Sequence, residues 1–163
     1  MDSEAIGLAG FNDLSAAAAE RALLACCAAP TWARVLSETR PYPTVAALLA
    51  TADAALAGLD EAAVDAALAA HPRIGDRTDS PASAREQAGV EDELRTALAA
   101  GNSAYEAKFG HRYLVCAAGR TGTELLAILT ARLDNDPTTE RQVMRTELAK
   151  INRLRLARWV GRS

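Results

Sequence analysis

The chain lacks most of the residues and patterns that announce a cofactor, a metal or a sheet. Aromatic residues make up 4% of it, and only two histidines, His71 and His111, are present. Separated by forty positions, they do not form the H-x-x-x-H or E-x-x-H spacing of a helical metal site, so no metal is expected. No phosphate-cradling glycine loop of either common pattern occurs. Gly119-Arg120-Thr121-Gly122 has no flanking strand or helix signal that would promote it. The three cysteines, Cys26, Cys27 and Cys116, are odd in number, two are neighbours, and no C-x-x-C is present. They read as small buried hydrophobes of a reducing compartment.

No apolar run approaches the ~18 residues that span a bilayer, which argues against a membrane partner. The first twenty residues carry acids but no basic region followed by an apolar stretch, and the last three are not a peroxisomal signal, so a cytoplasmic location is expected. With 18 basic and 21 acidic residues the net charge is -3, which argues against a nucleic-acid partner.

What the chain does have is alanine and helix punctuation. Half of its residues are hydrophobic, many of them alanine, and strand signals are scarce, so an all-α fold in one compact domain over residues 1–163 is expected. Ser15, Thr31, Thr44, Asp60 and Thr123 stand where helix N-caps belong, and a long amphipathic helix is expected from Thr138 to about Val160. Helical texture also runs from Ser83 to Phe109. The segment Gly75–Pro81 is the most polar and turn-rich. Tyr113-Leu114-Val115-Cys116-Ala117-Ala118 is short and apolar, and periodicity alone leaves it a strand, a buried helix or an extended segment.

His71-Pro72-Arg73-Ile74-Gly75 is the most informative stretch. Pro72 cannot continue the alanine-rich helix before it. A histidine at a helix C-terminus feels the negative end of the macrodipole, and its ordinary pKa near ~6.5 suits proton transfer at neutrality. Taken alone it reads first as a C-capping histidine with no chemistry. Ser83 and Glu86, three apart, share a helical face or form a capping box. Ile151 and Arg155, four apart, also share a face, and an inward Arg155 would offer a fork for a carboxylate or a ureido-type group.

In order along the chain stand F-N-x-L at Phe11, R-P-Y-P at Arg40, H-P-R-I-G at His71 and S-x-x-E-Q at Ser83. N-x-x-Y-x-x-K-F-G at Asn102, L-V-C-A-A-G at Leu114 and I-x-x-L-R-L at Ile151 follow. This set, from Phe11 to about Leu156, resembles the 2-oxo-4-hydroxy-4-carboxy-5-ureidoimidazoline (OHCU) decarboxylase family, which performs the last step from urate to allantoin. The resemblance implies an all-α, commonly homodimeric enzyme that uses no metal or organic cofactor. It implies His71, Glu86 and Arg155 as catalytic residues. Pro72, Ser83, Ala84, Arg85, Gln87, Tyr113, Leu114, Val115, Cys116 and Ala117 are implied as substrate-binding positions. Many members carry H-P-D-L where this chain has H-P-R-I-G, so Arg73 is given no catalytic role.

On the implied chemistry, the substrate's own C=N bond accepts the electron pair left by departing CO2, which explains the absence of an organic electron sink. Arg155 would orient the anion, His71 would donate or shuttle the proton, and Glu86 would hold the histidine or a ureido N–H. Two alternatives stand beside this reading. One is a helical interaction module using Arg153, Arg155, Arg158 and Arg162 as a basic patch. The other is a related ureide enzyme with a different substrate.

Overall fold

The computed structural model describes residues 5–74 and 92–161. Every regular element among them is an α-helix: α1 (Gly7–Asp13), α2 (Ala16–Cys26), α3 (Pro30–Glu38), α4 (Val45–Ala57), α5 (Glu61–Ala69), α6 (Asp92–Phe109), α7 (Gly122–Arg132) and α8 (Pro137–Val160). They form two compact units. One runs through Ala67 and resumes at Ala149, and the other spans Leu68–Leu148. None of the described helices is long and apolar enough to cross a membrane.

In the first unit, side-chain caps start the helices where the sequence places them. Ser15 Oγ accepts from the Ala18 N–H at 3.1 Å, Thr44 Oγ1 from Ala47 at 3.1 Å, and Asp60 Oδ1 from Ala63 at 2.8 Å. The expected Thr31 cap is corrected: Pro30 is itself the first residue of α3, after Ala29. Proline's fixed φ and missing N–H suit that position without a side-chain acceptor. α2 packs on α3 and α3 on α4. Phe11, Leu23, Trp32, Leu36 and Leu48 are fully buried, and the Trp32 indole donates to the Ala52 carbonyl at 3.1 Å.

Two motifs separated along the chain prove to be partners there. Asn12 Nδ2 donates to the Tyr42 carbonyl at 3.0 Å, and the Tyr42 N–H donates back to Asn12 Oδ1 at 2.9 Å. Arg40 Nη1 donates to the Phe11 and Leu14 carbonyls at 2.7 Å each, closing the orphaned end of α1. F-N-x-L and R-P-Y-P are therefore two halves of one clasp.

In the second unit α6 packs on α7. A Cβ at Gly101 would stand 2.5 Å from Leu129 Cδ2, so glycine there permits the close approach. α6 ends at Gly110, whose φ of 77° is left-handed and whose N–H donates to the Glu106 carbonyl at 2.9 Å, a glycine C-cap. The expected Thr123 cap is also corrected. Thr121 starts α7 through a reciprocal capping box with Glu124, and Thr123 lies inside the first turn. Asp136 caps α8 by accepting from the Thr139 N–H at 2.8 Å. The core joins Ile74, Leu98, Tyr105, Tyr113, Val115, Ala117, Leu125 and Leu129.

Candidate active site

The second unit holds His71, Pro72 and the segment from Tyr113 to Ala117; Arg155 belongs to the first. Ser83, Ala84, Arg85, Glu86 and Gln87, together with the Gly75–Pro81 stretch, lie outside the described residues.

His71 follows the end of α5. Its N–H donates to the Leu68 carbonyl at 3.0 Å, and the residue is 7% exposed. The helix end is capped by another residue: Arg112 Nη1 donates to the Ala69 carbonyl at 3.0 Å and to the His71 carbonyl at 2.6 Å. A guanidinium thus satisfies the C-terminal carbonyls and counters the macrodipole's negative end. The residues after His71 are held as firmly. Arg73 grips Glu106 of α6 with two bonds, Nε to Oε2 at 2.7 Å and Nη2 to Oε1 at 3.0 Å. Asn102, one turn earlier on α6, donates Nδ2 to the Ile74 carbonyl at 2.9 Å. Hydrogen bonding to Arg73 is the largest influence on Glu106 and keeps its carboxyl below the ordinary range.

The histidine therefore sits at the head of a loop fixed at His71, Arg73 and Ile74. Sequence reasoning gave Arg73 no role and passed over Glu106 and Arg112. Arg73 and Glu106 are 33 positions apart and Arg112 and His71 are 41 apart, and neither separation carries a local signal. Arg73 and Asn102 lay within family-like motifs, which were the clues available.

The Tyr113–Ala117 segment has neither helix nor strand structure. Its backbone is secured by side chains. Arg132 Nη1 donates to the Leu114 carbonyl at 2.7 Å, the Cys116 N–H donates to Glu147 Oε1 at 3.0 Å, and Arg120 Nε reaches the Cys116 carbonyl at 3.3 Å. Behind it is a buried polar network. Glu140 Oε1 accepts from Arg132 Nε at 2.6 Å and from the Tyr105 hydroxyl at 2.7 Å, while Oε2 accepts from Asn135 Nδ2 at 3.1 Å. The Arg132 guanidinium also lies 4.8 Å from the Tyr113 ring centroid. Burial first of all pushes both the Tyr105 and Tyr113 hydroxyls far above the usual phenol range.

In the first unit Arg155 projects from α8 and donates Nη1 to the Cys26 carbonyl at 3.1 Å. That carbonyl ends α2, where a cation meets the negative end of the helix dipole. Ile151, on the same face, is buried. Arg153 is committed elsewhere, in an ion pair with Asp53, which weakens the basic patch imagined for the last helix; Arg162 lies outside the described residues. A shallow groove beside that ion pair, lined by Val45, Leu49, Asp53, Arg153, Ala157 and Gly161 among others, includes none of the candidate site residues. No group of three or more potential metal ligands is found among the described residues.

Comparison with known proteins adds an independent line. The OHCU decarboxylase family model matches residues 12–157. The uric acid degradation bifunctional protein TTL of Arabidopsis thaliana is 31% identical over 145 residues, covering 82% of this chain and 44% of that protein. The 2-oxo-4-hydroxy-4-carboxy-5-ureidoimidazoline decarboxylase of Amia calva is 40% identical over 55 residues, 34% of this chain and 31% of that protein. The chain thus spans less than half the length of these curated relatives.

The fold is similar to a crystal structure of OHCU decarboxylase in the presence of (S)-allantoin. The TM-score is 0.76 at 29% identity, with 85% of this chain and 96% of that one covered. It is also similar to (S)-allantoin synthase, with a TM-score of 0.75 at 19% identity, covering 95% of this chain and 54% of that one; this second likeness speaks to the fold alone. The all-helical architecture, the motifs around His71 and Arg155, and the match through residues 12–157 together lead to one conclusion: the chain belongs to the OHCU decarboxylase family.

Proposed function

We propose that the protein decarboxylates 2-oxo-4-hydroxy-4-carboxy-5-ureidoimidazoline to (S)-allantoin. The observation that carries this reading is the family match, which runs through His71, Glu86 and Arg155. It is supported by the buried His71 at the head of a loop with three anchored positions. Fixed geometry of this kind suits a group that must deliver a proton to one face of a flat ring.

In this reading Arg155 holds the substrate's carboxylate until the C–C bond breaks. CO2 leaves, the bonding electron pair forms a C=C bond to the ureido-bearing carbon, and the former imine nitrogen takes up a proton as the C=N π pair shifts onto it. The ureido-bearing carbon then takes a proton while the neighbouring hydroxyl gives one up and becomes the ring carbonyl. His71 is the proton donor or shuttle, and Glu86 keeps the imidazole or a ureido N–H in place. Pro72, Ser83, Ala84, Arg85, Gln87 and the segment Tyr113, Leu114, Val115, Cys116 and Ala117 contact the substrate. Of the segment's backbone groups, Leu114 C=O and Cys116 N–H are already bonded to Arg132 and Glu147.

The family resemblance also supports a single decarboxylase domain, a homodimer and catalysis without metal or organic cofactor. The test is to generate the unstable substrate in situ with urate oxidase and hydroxyisourate hydrolase, then add this protein with and without a chelator. Accelerated formation of (S)-allantoin that the chelator leaves unchanged is expected. Slow racemic product in the presence of folded protein would overturn the proposal.

A further inference from the structure

The chain that follows His71 is tied to one face of α6. Asn102 and Glu106, four apart on that helix, share a face. Asn102 Nδ2 donates to the Ile74 carbonyl at 2.9 Å, and Glu106 accepts both bonds of the Arg73 fork, at 2.7 and 3.0 Å. Arg112 stands close to the same carboxylate. The Glu106 carboxyl is held low first by its hydrogen bonding to Arg73, and the charge of Arg112 adds to that pull. Arg112 Nη1 also donates to the His71 carbonyl. Glu106 therefore faces two guanidiniums, one at the backbone of His71 and one two residues beyond it. All of these residues belong to the same compact unit.

Stability does not account for the Arg73–Glu106 pair. Its side chains are 41% and 27% exposed, and a screened pair of that kind adds little to the fold. A bidentate fork supplies direction instead, because two parallel bonds fix the plane of the guanidinium against the carboxylate. The buried Asn102 amide already anchors the next residue, Ile74. What the fork adds is the orientation of the short run between that anchor and His71. A displacement of about 1 Å at a reacting group can cost ~10²-fold in rate, so a pair that contributes little stability can still govern turnover.

We propose that Arg73 and Glu106 are positioning residues for the decarboxylation: their fork fixes the loop that carries the His71 imidazole. The inference rests on the decarboxylase reading above, with His71 as the proton donor.

The experiment measures steady-state kinetics and thermal stability for Arg73→Ala, Glu106→Ala and the double variant. Each single change lowers kcat about tenfold, while KM and the melting temperature stay nearly unchanged. The double variant is no slower than either single one, because the two side chains act as one device. Arg73→Lys keeps the charge without the fork and recovers only part of the rate. Wild-type kcat in the folded single variants would overturn the proposal. So would losses that multiply in the double variant, losses carried by KM, or rates that fall only with the folded fraction. If the wild-type protein itself fails to speed allantoin formation, the decarboxylase reading falls first, and the two failures are told apart.

Discussion

The Arg112 guanidinium donates to the backbone carbonyl of His71 at 2.6 Å. A second bond from the same nitrogen reaches Ala69, so one side chain both ends α5 and sets where the histidine begins. Replacing Arg112 with alanine leaves two carbonyls without their donor and is expected to destabilise the fold by about 1–3 kcal/mol. Turnover should fall further than the loss of folded protein explains, because the imidazole's support is gone. Arg112→Lys should recover part of both. Denaturant midpoints paired with rates measure this.

The Arg73–Glu106 pair holds the same loop from α6, with side chains 41% and 27% exposed. Exposed pairs are screened, so its contribution to stability is only ~0–1 kcal/mol. Glu106 has a depressed pKa when folded, so its contribution is fully present above the ordinary carboxylate range. It is lost as pH falls through the lowered value. Glu106→Gln should leave stability at neutrality nearly unchanged and flatten its decline on the acid side, read by thermal midpoints across pH at low salt.

Glu140 is wholly buried and gathers Arg132, Tyr105 and Asn135. Glu140→Gln leaves the Arg132 charge without its counter-charge in the core and should cost about 3–5 kcal/mol. The Leu114 carbonyl loses its fixed donor as a consequence. Chemical denaturation checks the magnitude.

All three tyrosines, Tyr42, Tyr105 and Tyr113, are held above the usual phenol range, in each case first by burial. The neutral phenols favour the fold below the ordinary value near ~10, and that support is lost as pH rises beyond it. Ultraviolet titration should show no early phenolate, then ionisation together with loss of helix by circular dichroism. A tyrosine titrating alone near ~10 in folded protein would contradict the assignment.

Much of the architecture was legible in the sequence because capping is local. Ser15, Thr44 and Asp60 each satisfy an N–H three residues on, and such spacing can be read directly. Thr31 and Thr123 misled because a neighbour, Pro30 or the Thr121–Glu124 box, offered the better start. His71, Pro72 and Arg155 were picked out through motif order. The sequence did not reveal what holds them. Arg112, Glu106, Glu147 and Cys26 meet their partners only through the tertiary fold, at separations no periodicity encodes. The clasp between Asn12 and Tyr42 shows the same limit from the other side. Motif residues to which the sequence assigned no role turn out to hold the framework.

The most direct measurement compares wild-type protein with a folded His71→Gln variant in the coupled reaction, following allantoin by circular dichroism. The wild type should speed formation of the S enantiomer, and the variant should lose roughly 10²–10⁴-fold of that rate while keeping its helical spectrum. Wild-type turnover in the folded variant would contradict the central claim that His71 delivers the proton.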